Sequence, residues 1–178
     1  MSILSEIGTK VGTKIKSHDS RINTLENEVV NGGSLGSIIS IIRTDRSDHA
    51  ANSFFDVFSL TITPSNTNSR VKITGIISAV VDGSNDGYIR ILRNGSLILA
   101  GTGAGDVKAS AFFSGYNGWG GTSTPLDFID TPNTTNDTTY TIQAYSSVNS
   151  LTINGRNPSS GGDSGTASST LQLQEIGA

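Results

Sequence analysis

A short heptad seam that stops at a glycine pair limits this chain most. Val11, Ile15, His18, Ile22, Leu25 and Val29 are spaced four, three, four, three, four. That is the a/d pattern of a helix burying a narrow seam against copies of itself. Gly32-Gly33 ends the pattern, and the rest of the chain alternates apolar and polar residues between turn clusters. The spacing therefore predicts a helix over residues 1–31, a glycine linker over 32–36 and a β-domain over 37–178. Such a chain suits presentation in several copies, and points to assembly and binding rather than chemistry.

Ile15, Ile22 and Val29 take the a positions, and Val11, His18 and Leu25 the d positions. β-branched a with Leu at d favours a parallel dimer by core shape alone. Arg21 and Glu26 flank the seam, and Arg21-Ile22-Asn23-Thr24-Leu25-Glu26 resembles a known trimerisation motif. There the guanidinium pairs with a neighbouring chain's carboxylate while its stem covers the apolar seam. The motif outweighs the a/d rule in so short a helix, so a homotrimer is expected. His18 is read first as a satisfied core histidine, and second as a group able to loosen the seam on protonation. Gly8 and Gly12 each lower helix propensity by about 1 kcal/mol, so residues 1–12 read as a frayed end or a docking peptide for a larger body.

Composition narrows the function. The 178 residues carry a net charge of −3, with only 15% charged residues and 21 glycines. No basic stripe exists, which argues against nucleic acid. With no cysteine there is neither a disulfide nor a thiolate metal site. No apolar run approaches the roughly 20 residues of a membrane span, so no membrane insertion is expected. The first residues lack the basic and apolar regions of a secretory signal, so synthesis in the cytoplasm is expected.

From Ser37 onward the alternation predicts ten strands, near 37–43, 54–63, 70–82, 88–93, 96–100, 108–113, 125–130, 138–146, 151–154 and 168–176. Asn94-Gly95 predicts a type I′ hairpin turn pairing Leu92 with Leu97 and Ile91 with Ile98. Ile89, Ile91, Ile98 and Ala100 then make a core face. Arg90, Leu92, Leu97 and Leu99 make the other, too apolar for a solvated surface and expected to be covered by a neighbouring protomer. In 70–82, Val71, Ile73, Ile77, Ala79 and Val81 face one way, with Ile76 and Val80 on the other. Ten strands closed by 168–174 suggest a jelly-roll-like β-sandwich, a mainly β fold behind the trimeric coiled coil.

Chemistry is sparse. His49 in Asp45-Arg46-Ser47-Asp48-His49 makes a Ser–His–Asp set formally available, but no nucleophile elbow accompanies it and the stretch reads as a polar loop. Asp82-Gly83-Ser84-Asn85-Asp86-Gly87 offers oxygen ligands but lacks an EF-hand's length and closing glutamate, so it reads as a turn. No enzyme activity, cofactor or metal is expected. Ser114-Gly115-Tyr116-Asn117-Gly118-Trp119-Gly120-Gly121 sets aromatic rings beside an amide. Tyr116, Asn117 and Trp119 are therefore candidate sugar-stacking residues, with Trp119 as an end plug the plainer reading. Asn154–Thr166 is a second polar loop able to serve as a contact surface.

Residues 124–135 (Thr-Pro-Leu-Asp-Phe-Ile-Asp-Thr-Pro-Asn-Thr-Thr), 139–144 (Thr-Tyr-Thr-Ile-Gln-Ala), 169–171 and 175–176 resemble the C-terminal β-domain of tailed-bacteriophage virion proteins. Those from phages of aquatic bacteria are the most similar, and the resemblance spans roughly residues 37–176. It implies a structural component of the virion. One form is a fibre or knob attached to another virion protein through its N-terminus and contacting host-surface glycan. The other is a capsid decoration. A C1q/TNF-like trimeric binding module is the non-viral alternative.

Overall fold

The computed structural model describes residues 35–81, 85–102, 108–114, 122–155 and 166–177. The helix expected over 1–31 lies outside them, as do its seam residues. Eleven strands are found among the described residues: β1 (Leu35–Arg43), β2 (Ser47–His49), β3 (Phe55–Ile62), β4 (Arg70–Val81), β5 (Asp86–Arg93), β6 (Ser96–Ile98), β7 (Ala111–Ser114), β8 (Thr122–Asp130), β9 (Thr138–Ser146), β10 (Leu151–Ile153) and β11 (Ser169–Ile176). They form two antiparallel sheets, a β-sandwich.

In the first sheet, β4 pairs with β8 along one edge and with β11 and β10 along the other. β11 in turn pairs with β1, and β10 with β2. Because β10 and β11 lie end to end on β4, they make one track broken between Asn154 and Ser168, and β1 with β2 makes a parallel break at 44–46. The second sheet runs β3-β9-β5, with β6 and β7 sharing the far edge of β5. Counting collinear pieces as one, each sheet has four tracks.

Inward positions alternate as expected. Val71, Ile73, Ile77, Ala79 and Val81 from β4 meet Ile89 and Ile91 from β5 and Ile142 and Ala144 from β9 in one apolar core. The Asn94-Gly95 turn has both residues at positive φ, 48° and 80°, and sets Leu92 opposite Leu97 and Ile91 opposite Ile98. Gly87 is required by contact instead: a Cβ there would stand 2.2 Å from the ring of Phe113, which fills the core beside it.

One expectation is corrected here. Ser47–His49 is not a loop but an edge strand, paired with β10. His49 stacks on Phe55 at 3.4 Å between ring centroids, and its Nε2 meets the Ser47 hydroxyl at 2.8 Å. Burial first, then the charge of Arg43, hold its pKa below the ordinary value. Asp48 turns to the other side of the strand, accepting from Thr152 and Arg46, so it does not orient the imidazole. Val80, on the outer face of β4, is also buried, next to Thr152.

One end of the core holds two buried carboxylates in a single row, with Val71 paired to Glu175 on one side and Asp130 on the other. Asp130 of β8 reaches the opposite sheet, accepting from Tyr140 Oη (2.7 Å) and Arg93 Nη1 (2.9 Å). Glu175, 2% exposed, accepts from the backbone N–H and hydroxyl of Ser65 at 2.7 and 2.6 Å. Burial alone would raise the pKa of Glu175, but these hydrogen bonds outweigh it and leave it lowered.

That group contributes stability fully present above the ordinary carboxylate pKa of about 4.3 and lost as pH falls through its lowered value. Glu175→Gln is therefore expected to destabilise the protein at pH 7 and to cost less at about pH 3, below the ordinary carboxylate pKa. Urea unfolding at the two pH values reads this, and an equal penalty at both would contradict it.

Candidate functional site

The outer faces of the two sheets differ in chemistry. On the first sheet, pairing sets Ile42, Thr170, Ile76 and Pro125 in one row and Ser40, Gln172, Thr74 and Asp127 in the next. Ile42 and Ile76 stand 67% and 46% exposed, and a shallow depression lies between these rows. The ion pair beside it, Lys72 to Asp127 at 3.5 Å, is a surface pair worth under about 1 kcal/mol.

The second sheet presents an aromatic and charged face. Outward positions of β5 and β9 pair Tyr88 with Tyr145 and Arg90 with Gln143, while β7 sets Phe112 against Tyr88. Phe54, just before β3, stacks on Tyr145 with centroids 4.6 Å apart. The guanidinium carbon of Arg90 lies 3.5 Å from the centre of the Phe54 ring, a cation–π contact.

Next to these rings runs a hydrogen-bonded chain. Arg90 Nε donates to Gln143 Oε1 and Gln143 Nε2 donates to Asp56 Oδ1, both at 2.6 Å. Holding both ends of the Gln143 amide fixes its orientation. Among the described contacts the Nη groups of Arg90 and the second oxygen of Asp56 are not used. Phe112 is 74% exposed, the largest exposure among the described large apolar side chains. Aromatic rings thus adjoin a hydrogen-bonded donor and acceptor.

No family model matches the chain, and no curated protein matches it either. Solved structures that resemble it include T=1 particles derived from infectious bursal virus, at 14% identity and TM-score 0.44, covering 80% of this chain and 36% of that one. The infectious bursal disease virus Gt strain follows at 15% identity and TM-score 0.42, covering 82% and 39%. The VP2 subviral particle of the same virus gives 13% and 0.38, covering 80% and 38%. The chain spans little more than a third of those chains' length. At these scores the similarity assigns neither a family nor a function.

The residues expected from sequence to form sites are placed as follows. Val11, Ile15, His18, Arg21, Ile22, Leu25, Glu26 and Val29 lie outside the described residues, and so do Tyr116, Asn117 and Trp119. Of the four expected at a protomer interface, Leu92 and Leu97 pair on the outer face, Leu92 buried and Leu97 38% exposed. Arg90 is engaged within the chain by Phe54 and Gln143. Leu99 does not continue that face: β6 ends at Ile98, Leu99 takes a φ of 54°, and its side chain packs on the core. Ser110 holds this exit, its hydroxyl accepting from Ile91 N–H and donating to the Ile98 carbonyl.

Sequence reasoning missed the aromatic face. Its rings come from positions 54, 88, 112 and 145, and only the strand pairing brings them together.

Proposed function

We propose that this chain is a virion structural protein of a tailed phage, a homotrimer attached by its N-terminus and presenting a jelly-roll head for host-surface binding. The observation that carries the fold part is the strand order. With collinear pieces merged, the eight tracks run 1-8-3-6 in one sheet and 2-7-4-5 in the other. Every successive pair of tracks except 4 and 5, which form the Asn94-Gly95 hairpin, lies in opposite sheets, as the two Greek keys of a jelly roll require.

The placement in a virion rests on the resemblance carried by residues 124–135, 139–144, 169–171 and 175–176, and the trimer on the Arg21–Glu26 motif. The outer face of the second sheet supports a binding role. Capsid decoration is the second reading; the heptad segment is too short for a long fibre shaft, which favours a compact knob or a decoration. The C1q/TNF-like module remains the non-viral reading.

Antibody raised against the chain, applied to intact particles under the electron microscope, tests this. Label at the tail is expected for a fibre or knob, and label over the capsid makes it a decoration protein. No label on any particle overturns the virion assignment.

A further inference from the structure

We propose that the outer face of the second sheet is a binding site for neutral saccharides, centred on Tyr88, Phe112 and the Arg90–Gln143–Asp56 chain. The inference deepens the reading of the chain as a surface-binding protein and rests on it. A sugar ring has apolar C–H faces and hydroxyls around its edge. Binding one calls for flat rings, to cover a C–H face without hydrogen-bonding demands, beside donors and acceptors held in fixed positions.

This face supplies both. The exposed ring of Phe112 adjoins Tyr88, whose neighbour Tyr145 is held by its stack on Phe54. The polar chain ends in a guanidinium on one side and a carboxylate on the other, about one Gln side chain apart, joined by two 2.6 Å hydrogen bonds. Adjacent sugar hydroxyls each donate and accept, so a diol can answer both ends.

Charge decides the class. Arg90 and Asp56 compensate one another through Gln143, so the face offers no net positive charge to a sialic or uronic acid. A protein partner would need more apolar area than one exposed phenylalanine provides. The face is open rather than a pocket, so single-site affinity is low, and several copies on one particle raise the avidity.

The test is a printed array of neutral hexose and N-acetylhexosamine oligosaccharides, with acidic glycans on the same slide, probed with the full-length protein. Phe112→Ala and Asp56→Asn alter exposed side chains, and their urea midpoints check that they fold. Each is expected to weaken neutral-glycan binding about tenfold, whereas Ile129→Ser, exposed on the other sheet, leaves it unchanged. Failure to bind any neutral glycan, binding confined to acidic ones, or binding by Phe112→Ala and Asp56→Asn as strong as the parent's would overturn the site. Particle labelling reads out separately, so a labelled particle without glycan binding removes this site and leaves the virion assignment standing.

Discussion

Replacing Asn154 by alanine is expected to destabilise the protein by about 3–5 kcal/mol, one of the largest penalties for a single side chain here. Asn154 is fully buried where the β10–β11 and β1–β2 tracks both break. Its Nδ2 donates to the carbonyls of Arg43 and Asp45 at 2.8 and 3.1 Å, and its Oδ1 accepts from Ser169 Oγ at 2.6 Å. Ser169 Oγ also accepts from Ser78 N–H, so the network reaches the neighbouring strand. Alanine would strand these groups away from water, each at about 1–3 kcal/mol, partly relieved by relaxation.

Backbone shape adds to this. Asn154 has a φ of 55°, which asparagine tolerates and alanine does not. Asn154→Gly should thus be milder than Asn154→Ala by up to about 1 kcal/mol. Asn154→Asp should be no better than alanine, since it points carboxylate oxygen at two carbonyls. Urea unfolding of the three variants reads the order. For a chain of this size the alanine variant should melt about 8–15 °C lower. A penalty under about 1 kcal/mol would mean that the break is held by something other than Asn154.

That residue also shows where sequence reasoning stops. Most strands were legible because each carries its own period-two signal: Val71, Ile73 and Ile77 predict the inner face of β4, and Asn94-Gly95 names its turn. β2 was not, because Ser47-Asp48-His49 has no apolar residue. It is a strand through its pairing to β10, far along the chain, and the stacking of His49 on the nearby Phe55. Asn154 looked like a strand end opening a polar loop, and its buried role depends on β1, β4 and β11 meeting there. The alternation placed Arg90 and Leu97 on one face, but Leu99 follows a backbone turn held by Ser110, which no alternation encodes. Phe54, Tyr88, Phe112 and Tyr145 are unremarkable one at a time, and strand order alone makes them neighbours.

Removing the Asp130 carboxylate is the second change expected to cost heavily, about 2–4 kcal/mol for Asp130→Ala. Asp130 ends β8 in one sheet, while its partners Arg93 and Tyr140 belong to β5 and β9 in the other, so the group ties the two sheets at one end of the core. Arg93 Nη1 reaches both carboxylate oxygens, at 3.1 and 2.9 Å, and also the Thr131 carbonyl. Tyr140, with no exposed surface, is held by burial and by Asp130 well above the ordinary tyrosine pKa. Without the carboxylate its hydroxyl has no acceptor in an apolar surrounding. Arg93 is 31% exposed and recovers some hydration, which keeps the penalty below that of a fully buried pair. Tyr140→Phe alone removes one donor and should cost about 1 kcal/mol. In Asp130→Ala/Tyr140→Phe no hydroxyl is left stranded, so the double variant should be more stable than the sum of the single penalties predicts. Strict additivity in urea unfolding would show that the two groups do not act together, leaving Arg93–Asp130 as the polar tie between the sheets at this end.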